Sequence, residues 1–283
     1  MEYPNVTRLY KFYAYNEYSL SVLIDKMVWF SKPATLNDPF DIDIDFDICM
    51  SPSKLRYMIN VVKKQPGIST QKREALRDLE KENANPDAHN KIKGLLNNQF
   101  REDRKNWGVF CMSESKRDIL MWSHYADHHK GFCVELLRSP ESPLGDLEKT
   151  RPVTYSCEYP TPDPTADNKM FYDELFFTKA KGWAHEKEWR MLNDKGDILE
   201  PLPGAITAVI FGLKMPSQHR AKIKNILSKT PEIKYQRAEK VPNQFKLKIV
   251  DCESNHTLER KGKSCEMQFQ SGIPLIKCQK RQK

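Results

Sequence analysis

Residues 179–190, KAKGWAHEKEWR, decide how the rest of the chain is interpreted. The run places two carboxylates, several cations and two indole rings close together. In a strand, the period of two would put Glu186, Glu188 and Arg190 on one face and Trp189 on the other. In a helix, Glu186 and Arg190 would pair at i, i+4, and the run would need no chemical role. A strand therefore favours a functional site, whereas a helix favours a salt-bridged surface.

The chain before this run predicts a strand, a helix and a second strand. Residues 8–13 are rich in aromatic side chains, residues 18–26 have apolar side chains at helical spacing, and residues 28–31 form a short apolar run. Residues 35–41 (TLNDPFD) predict a turn, because Asn and Asp bond their own backbone and proline disfavours a helix before it. Later strands are predicted at 107–113, 132–136, 152–155, 206–212, 233–236 and 245–250, with helices from Asp118 and over 170–178 and 217–227.

This mixture predicts an α+β domain over residues 1–250, with a small mixed or antiparallel sheet and flanking helices. Residues 51–104 change to Lys, Arg, Glu, Asn and Gln with helical apolar spacing, and predict a helical insertion of about three helices. The segment 251–283 alternates poorly and ends in cations. It predicts a basic C-terminal tail.

Composition limits the class of protein. The formal net charge is +8, from 46 cationic and 38 anionic side chains, which favours a nucleic-acid partner without forming a basic arm. The seven cysteines lack a CxxC pair, so they fit reduced thiols in the cytoplasm. No stretch is apolar over the ~20 residues of a membrane span, and we expect no membrane partner.

Two groups of residues invite a metal site. His124 and His128 would share one face of a helix at i, i+4, and His129 follows them. The aspartates at 41, 43, 45 and 47 alternate with apolar residues, as in a half-buried strand. Neither group has the ligand pattern of a known metal motif, so we predict no metal there and expect the histidines to form hydrogen bonds or contact a substrate.

Five patches together resemble a known family. They are residues 9–12 (LYKF), 29–33 (WFSKP), 36–41 (LNDPFD), 121–132 (MWSHYADHHKGF) and 183–190 (WAHEKEWR). In this order they resemble the bacterial family catalogued as domain of unknown function 2971, over roughly residues 8–230. Asn37 and Asp38 belong to polar combinations that packing alone does not require, so we expect them to contact a cofactor.

More distantly, the chain looks like an ADP-ribosyltransferase, a fold with a small split sheet and a late Glu-x-Glu strand. This likeness implies NAD as cofactor. Glu188 would be the catalytic carboxylate, stabilising the charge that develops as nicotinamide leaves, and Glu186 would orient the substrate. Ser31 would bond the nicotinamide ribose.

The same likeness implies further contacts. Tyr10 or Lys11 would stand where these enzymes usually have Arg or His, and His124 with Tyr125 would stack on the cofactor or on a target base. The acceptor would be nucleic acid or protein, as in toxin and phage-defence transferases, which is an analogy of fold.

Two other interpretations stay open. In one, Asp38, Asp41, Glu186 and Glu188 gather a divalent metal ion for nucleic-acid processing or binding, with His124 or Lys181 beside it. In the other, the chain is a non-catalytic interaction domain whose Glu186, Glu188 and Arg190 form ion pairs with Lys11 or Lys130. The distances between these groups in space separate the three interpretations.

Overall fold

A computed structural model describes residues 3–42, 51–64, 68–82, 105–160 and 173–252, together with the single residues 90, 94, 98 and 102. The strands are β1 (Arg8–Tyr13), β2 (Met27–Phe30), β3 (Gly108–Ser113), β4 (Phe132–Leu137), β5 (Thr150–Pro152), β6 (Thr154–Ser156), β7 (Thr178–Ala180), β8 (Glu188–Asn193), β9 (Ile198–Pro201), β10 (Ile206–Phe211), β11 (Lys234–Lys240) and β12 (Leu247–Asp251). The α-helices are α1 (Glu17–Ile24), α2 (Pro52–Lys63), α3 (Thr70–Glu82), α4 (Ile119–Tyr125) and α5 (Ser217–Ile226), and Pro33–Thr35 and Lys181–Glu186 form 3₁₀ helices.

Eight of these strands form one sheet in the order β12-β11-β10-β4-β1-β3-β8-β5. Neighbouring strands are antiparallel except β10 and β11, which are parallel. β2 pairs with β9, and β6 pairs with β7, in two small sheets. The predicted α+β class and mixed sheet are confirmed, although the main sheet is larger than the sequence suggested.

Helix α4 packs on the centre of the sheet. Its N-cap is Asp118, whose carboxylate accepts the amide of Met121 at 2.9 Å. Trp122 is fully buried and meets Phe12 of β1 edge to face, with ring centroids 5.0 Å apart. Cys133 of β4 belongs to the same buried cluster. This packing fixes the helix, and hence Tyr125 at its end, beside β1.

The main sheet opens between β1 and β3. β1 pairs with β4 over six positions and β3 with β8 over six, but β1 and β3 are joined only where Tyr10 faces Ser113. Beyond that position the two strand edges separate. The Lys11 ammonium reaches across the gap and donates to the carbonyl of Cys111 at 2.8 Å. The opening is therefore lined by strand edges and by a lysine that bridges them.

The turn after α4 corrects one expectation. The helix ends at Tyr125, and Asp127, His128 and His129 follow with φ values of 43°, 53° and 70°. His124 and His128 therefore do not share a helix face, and the predicted i, i+4 pair is wrong. The imidazole of His129 is buried and lies 3.1 Å from the Ser123 hydroxyl, which is a structural role.

The insertion is helical where the structure describes it. α2 and α3 match the apolar spacing of the sequence, and Lys63 of one helix forms an ion pair with Glu80 of the other. The expected third helix is described only at residues 90, 94, 98, 102 and 105, all of which are helical. In the segment 170–178, residues 173–176 are helical and residue 178 begins β7, so the predicted helix is confirmed only in part. Residues 170–172, the aspartates 43, 45 and 47 and the tail beyond residue 252 lie outside the described residues. Met1–Asp251 forms one compact unit. None of the described helices is both long and apolar enough to cross a bilayer.

Candidate functional site

Residues 179–190 form neither one strand nor one helix. β7 ends at Ala180, a 3₁₀ helix runs over Lys181–Glu186, and β8 begins at Glu188. Between them, Lys187 adopts the left-handed conformation, with φ 45° and ψ 53°. The chain therefore turns back on itself, so that both carboxylates converge on the lysine at the start of the run. Both sequence-based structures for Glu186 are wrong, but the convergence of the two carboxylates holds.

The convergence point is the ammonium group of Lys179. It lies 2.7 Å from Glu186 Oε2, 2.7 Å from Glu188 Oε2 and 3.3 Å from Asp41 Oδ2. Only 4% of the lysine side chain is exposed. The indole of Trp183 covers it, with Nζ 5.3 Å from the ring centroid. One buried cation therefore joins the turn after β2, the 3₁₀ helix and β8.

Arg190 is the second cation of the cluster. Its Nε donates to Glu188 Oε1 at 2.7 Å, and its Nη2 donates to both oxygens of Asp41 at 2.8 and 2.6 Å. Its Nη1 donates to the carbonyl of Phe176 at 2.7 Å. Three carboxylates thus face two cations, and the cluster has one net negative charge in a buried position.

The charges of the cluster fix its protonation states. Burial alone would raise the pKa of Glu188, but Arg190 and Lys179 outweigh it and hold that pKa well below its ordinary value. Burial alone would lower the pKa of Lys179, but Glu188, Asp41 and Glu186 raise it well above its ordinary value. Both side chains are therefore charged at neutral pH, and each depends on the other.

Tyr125 connects the cluster to a cleft. Its hydroxyl donates to Glu186 Oε1 at 2.7 Å and also lies 3.2 Å from the amide oxygen of Asn37. Burial and the charge of Glu186 raise the pKa of Tyr125, so the phenol stays protonated. The hydroxyl therefore presents a neutral hydrogen-bonding group at the edge of the charged cluster.

The cleft is the gap between β1 and β3, with a volume of about 240 Å³. The structure brings seven of the nine residues proposed from the sequence to its lining: Tyr10, Lys11, Ser31, Asn37, Tyr125, Glu186 and Glu188. Ser31 reaches it through a backbone bridge to Val109 of β3. Burial and the neighbouring carboxylate of Glu135 raise the pKa of Tyr10, so its phenol stays protonated. Residues far apart in sequence therefore meet in one cavity.

Two proposed residues lie elsewhere. His124 is exposed, and its ring contacts Trp183 at 6.5 Å rather than lining the cleft. Asp38 is buried in a separate cavity, where its carboxylate accepts the amide of Phe40 at 2.9 Å. Lys179 was not among the residues proposed from the sequence, which indicated Lys11 or Lys130 as the partner cation. A lysine two residues after the apolar run 175–177 was the available signal, because a lysine next to buried apolar residues needs a counter-charge.

The position that a metal ion would take among the carboxylates is filled by the Lys179 ammonium. Asp41, Glu186 and Glu188 do converge as it expected, but the Lys179 ammonium lies between them, and Asp38 is not part of the group. Across the described part of the chain, no group of three or more His, Cys, Asp or Glu residues could hold a metal ion.

Comparisons with known proteins add one match. No curated protein and no solved structure matches the chain. The matching segment begins in helix α4 and ends in β8, so it contains Tyr125, Lys179, Glu186, Glu188 and Arg190. Over residues 121–191 the chain matches the family described as protein of unknown function DUF2971.

Proposed function

We propose that the cleft between β1 and β3 binds NAD and catalyses transfer of its ADP-ribose group to an acceptor. The observation that carries this proposal is the meeting of Lys11, Ser31, Glu186 and Glu188 in one cavity at the opening of the sheet. An early strand, a serine after the second strand and a late pair of glutamates are the parts that an ADP-ribosyltransferase-like site requires.

The size and polarity of the cleft suit one end of a dinucleotide. Its volume of about 240 Å³ is below the ~300–1,000 Å³ of pockets that enclose whole ligands, so it would hold the nicotinamide ribose and leave the rest outside. Lys11 faces a carbonyl and the ring of Phe110, at 5.0 Å from its centroid, and among the described residues has no carboxylate partner. A phosphate group could supply that missing anion.

Glu186 is the better candidate for the contact with substrate. A carboxylate can accept about four hydrogen bonds. Glu188 already accepts from Lys179 and from Nε and Nη2 of Arg190. The carboxylate of Glu186 accepts only from Tyr125 and Lys179 among the described residues, which leaves lone pairs for a ribose hydroxyl. The proposal therefore gives Glu186 the catalytic role that the sequence assigned to Glu188.

The chemistry requires negative charge at the site of bond breaking. The bond between the ribose C1′ and the nicotinamide nitrogen breaks with both electrons leaving on nicotinamide, and positive charge develops on the sugar. Glu186 stabilises that charge, and Tyr125 holds Glu186 in place. The acceptor atom then forms the new bond at C1′ and releases its proton to water. Glu188 and Arg190 keep Lys179, and through it Glu186, in a fixed position.

The net charge of +8 supports a nucleic-acid acceptor, which a basic surface attracts at long range. A protein acceptor is the alternative within the same reaction. An assay that offers nucleic acid and protein shows which of the two acceptors receives the label.

The test measures nicotinamide release and label transfer from NAD in the presence of single-stranded DNA, RNA or protein. We expect label transfer by the wild-type chain and a rate at least about 100-fold lower for Glu186→Gln, because a preorganised electrostatic contact is lost. Glu141→Gln, at an exposed position, is the matched control and should retain the wild-type rate.

Thermal unfolding of each variant accompanies the assay, so that loss of activity is not confused with loss of fold. Absence of nicotinamide release with every acceptor would contradict the proposal. A folded Glu186→Gln variant with the wild-type rate would contradict the role given to this residue.

A further inference from the structure

A second cavity, of about 360 Å³, also has Lys179 in its wall. Its other lining residues come from the turn after β2, from the end of β6 and the loop after it, from β7 and from the 3₁₀ helix. None of the groups assigned to the proposed reaction, apart from Lys179, faces this cavity. It is therefore a separate place where the chain could bind a partner.

Aromatic rings form its walls. Phe40 is 64% exposed and Tyr159 is 52% exposed, although both are large apolar side chains. Their ring centroids are 6.4 Å apart at an interplanar angle of 37°. Trp183 completes the set and already lies over the buried ammonium of Lys179. Aromatic faces grouped in this way attract cations through the ring quadrupole.

The buried acidic residue in the lining of this cavity is Asp38. The residue is only 7% exposed, and the one hydrogen bond that its carboxylate accepts from a described residue comes from the backbone amide of Phe40. No described cation pairs with it, whereas Asp41, three residues later, contacts two. A buried carboxylate without a cationic partner is costly, and a ligand cation would relieve that cost.

The local charge selects the kind of ligand. Glu158 adds a second carboxylate to the lining, and the charge of Lys179 is more than offset by the cluster behind it. Despite the positive net charge of the chain, this cavity is therefore a poor place for a phosphate group. It is a favourable place for a planar cation, because a guanidinium can stack on aromatic rings and bond a carboxylate through two N–H groups.

We propose that this cavity binds an arginine side chain of a partner protein, with the guanidinium against Phe40 and Tyr159 and paired with Asp38. The inference does not depend on the NAD reaction, since it concerns a different cavity and is tested without NAD.

The experiment compares two peptides by ligand-observed NMR titration of the full chain. They are acetyl-Gly-Arg-Gly-amide and its citrulline counterpart, which keeps the planar group and removes the charge. We expect the arginine peptide to bind at least about tenfold more tightly. Asp38→Asn, which keeps the oxygen that accepts the Phe40 amide, and Tyr159→Ala should each weaken arginine binding at least about fivefold.

Tyr18→Ala is the matched control, because Tyr18 is 91% exposed on α1 and should not affect binding. Tyr159 is exposed, so its variant keeps the test valid if Asp38→Asn does not fold. Equal affinity for both peptides would overturn the proposal, as would no binding of either peptide. Cytidine monophosphate is titrated in the same way. If it binds and the arginine peptide does not, and if Tyr159→Ala removes that binding, the cavity binds a nucleobase and the proposal is overturned.

Discussion

Glu188 illustrates how single residues hold the candidate site together. Its carboxylate is bonded by Lys179 on one oxygen and by Arg190 on both, at distances of 2.7 to 3.2 Å. Removing one partner of such a buried group leaves the others uncompensated, which typically costs about 3–5 kcal/mol. The residue therefore contributes to stability as well as to the shape of the cleft.

This role makes a prediction about acid stability. The folded state lowers the pKa of Glu188 below its ordinary value of 4.5, so its contribution is present above about pH 4.5 and is lost as the pH falls further. We expect Glu188→Gln to be about 3–5 kcal/mol less stable than wild type at pH 7, with a difference that narrows below pH 4.5. Urea unfolding at a series of pH values measures this difference. If the difference in the free energy of unfolding stays constant from pH 7 to pH 3, the charge of the Glu188 carboxylate is not the source of the stability. Glu141→Gln is the control.

At the scale of residues, seven of the nine residues proposed from the sequence line the cleft, but the contact between Lys179 and Asp41 was not predicted. The pattern of Glu186, Glu188 and Ser31 depends on residue type and could be recognised directly. Lys179 and Asp41 could not be paired in advance, because their contact depends on the left-handed turn at Lys187 and on a loop far away in sequence. Ion pairs over such separations are set by tertiary structure, not by local pattern.

The turn between α4 and β4 is the element that aligns Tyr125 with the sheet. Gly131 donates its amide to the carbonyl of Ala126 at 2.8 Å, and a Cβ at Gly131 would lie 2.0 Å from the carbonyl oxygen of Tyr13. Backbone at that distance cannot move aside without disturbing β1. The glycine therefore allows β1, β4 and the turn to approach closely.

We expect Gly131→Ala to lower the free energy of unfolding by at least about 2 kcal/mol, because the new methyl group overlaps backbone atoms. Gly182→Ala is the matched control, since a Cβ at Gly182 has no heavy atom within 4 Å. Chemical denaturation of both variants gives the comparison. Equal stability of the two variants would contradict the close approach.

Most elements could be predicted from the sequence because their signals are local. The aromatic strand β1, the Asp118 cap of α4 and the apolar strand β10 follow from periodicity and capping. The 3₁₀ helix over Lys181–Glu186 could not, because polar residues in that run satisfy strand and helix patterns equally well. Residues 150–156 form two short strands in different sheets, where the sequence indicated one strand.

At the scale of the whole molecule, the opening between β1 and β3 gives the cleft its composition. Residues from the first 41 positions and from 179–188 meet there only because β1 lies at the centre of the sheet, between β4 and β3. Strand order is a property of the complete fold, and no local pattern contains it. The resemblances of the five sequence patches, and not a local pattern, therefore indicated that these residues share a site.

The most direct test of the central claim is the crystal structure of the chain with NAD. We expect the nicotinamide ribose in the gap between β1 and β3, with a ribose hydroxyl about 3 Å from the carboxylate of Glu186. NAD bound at another surface, or a cleft that stays empty at saturating NAD, would contradict the proposed NAD site.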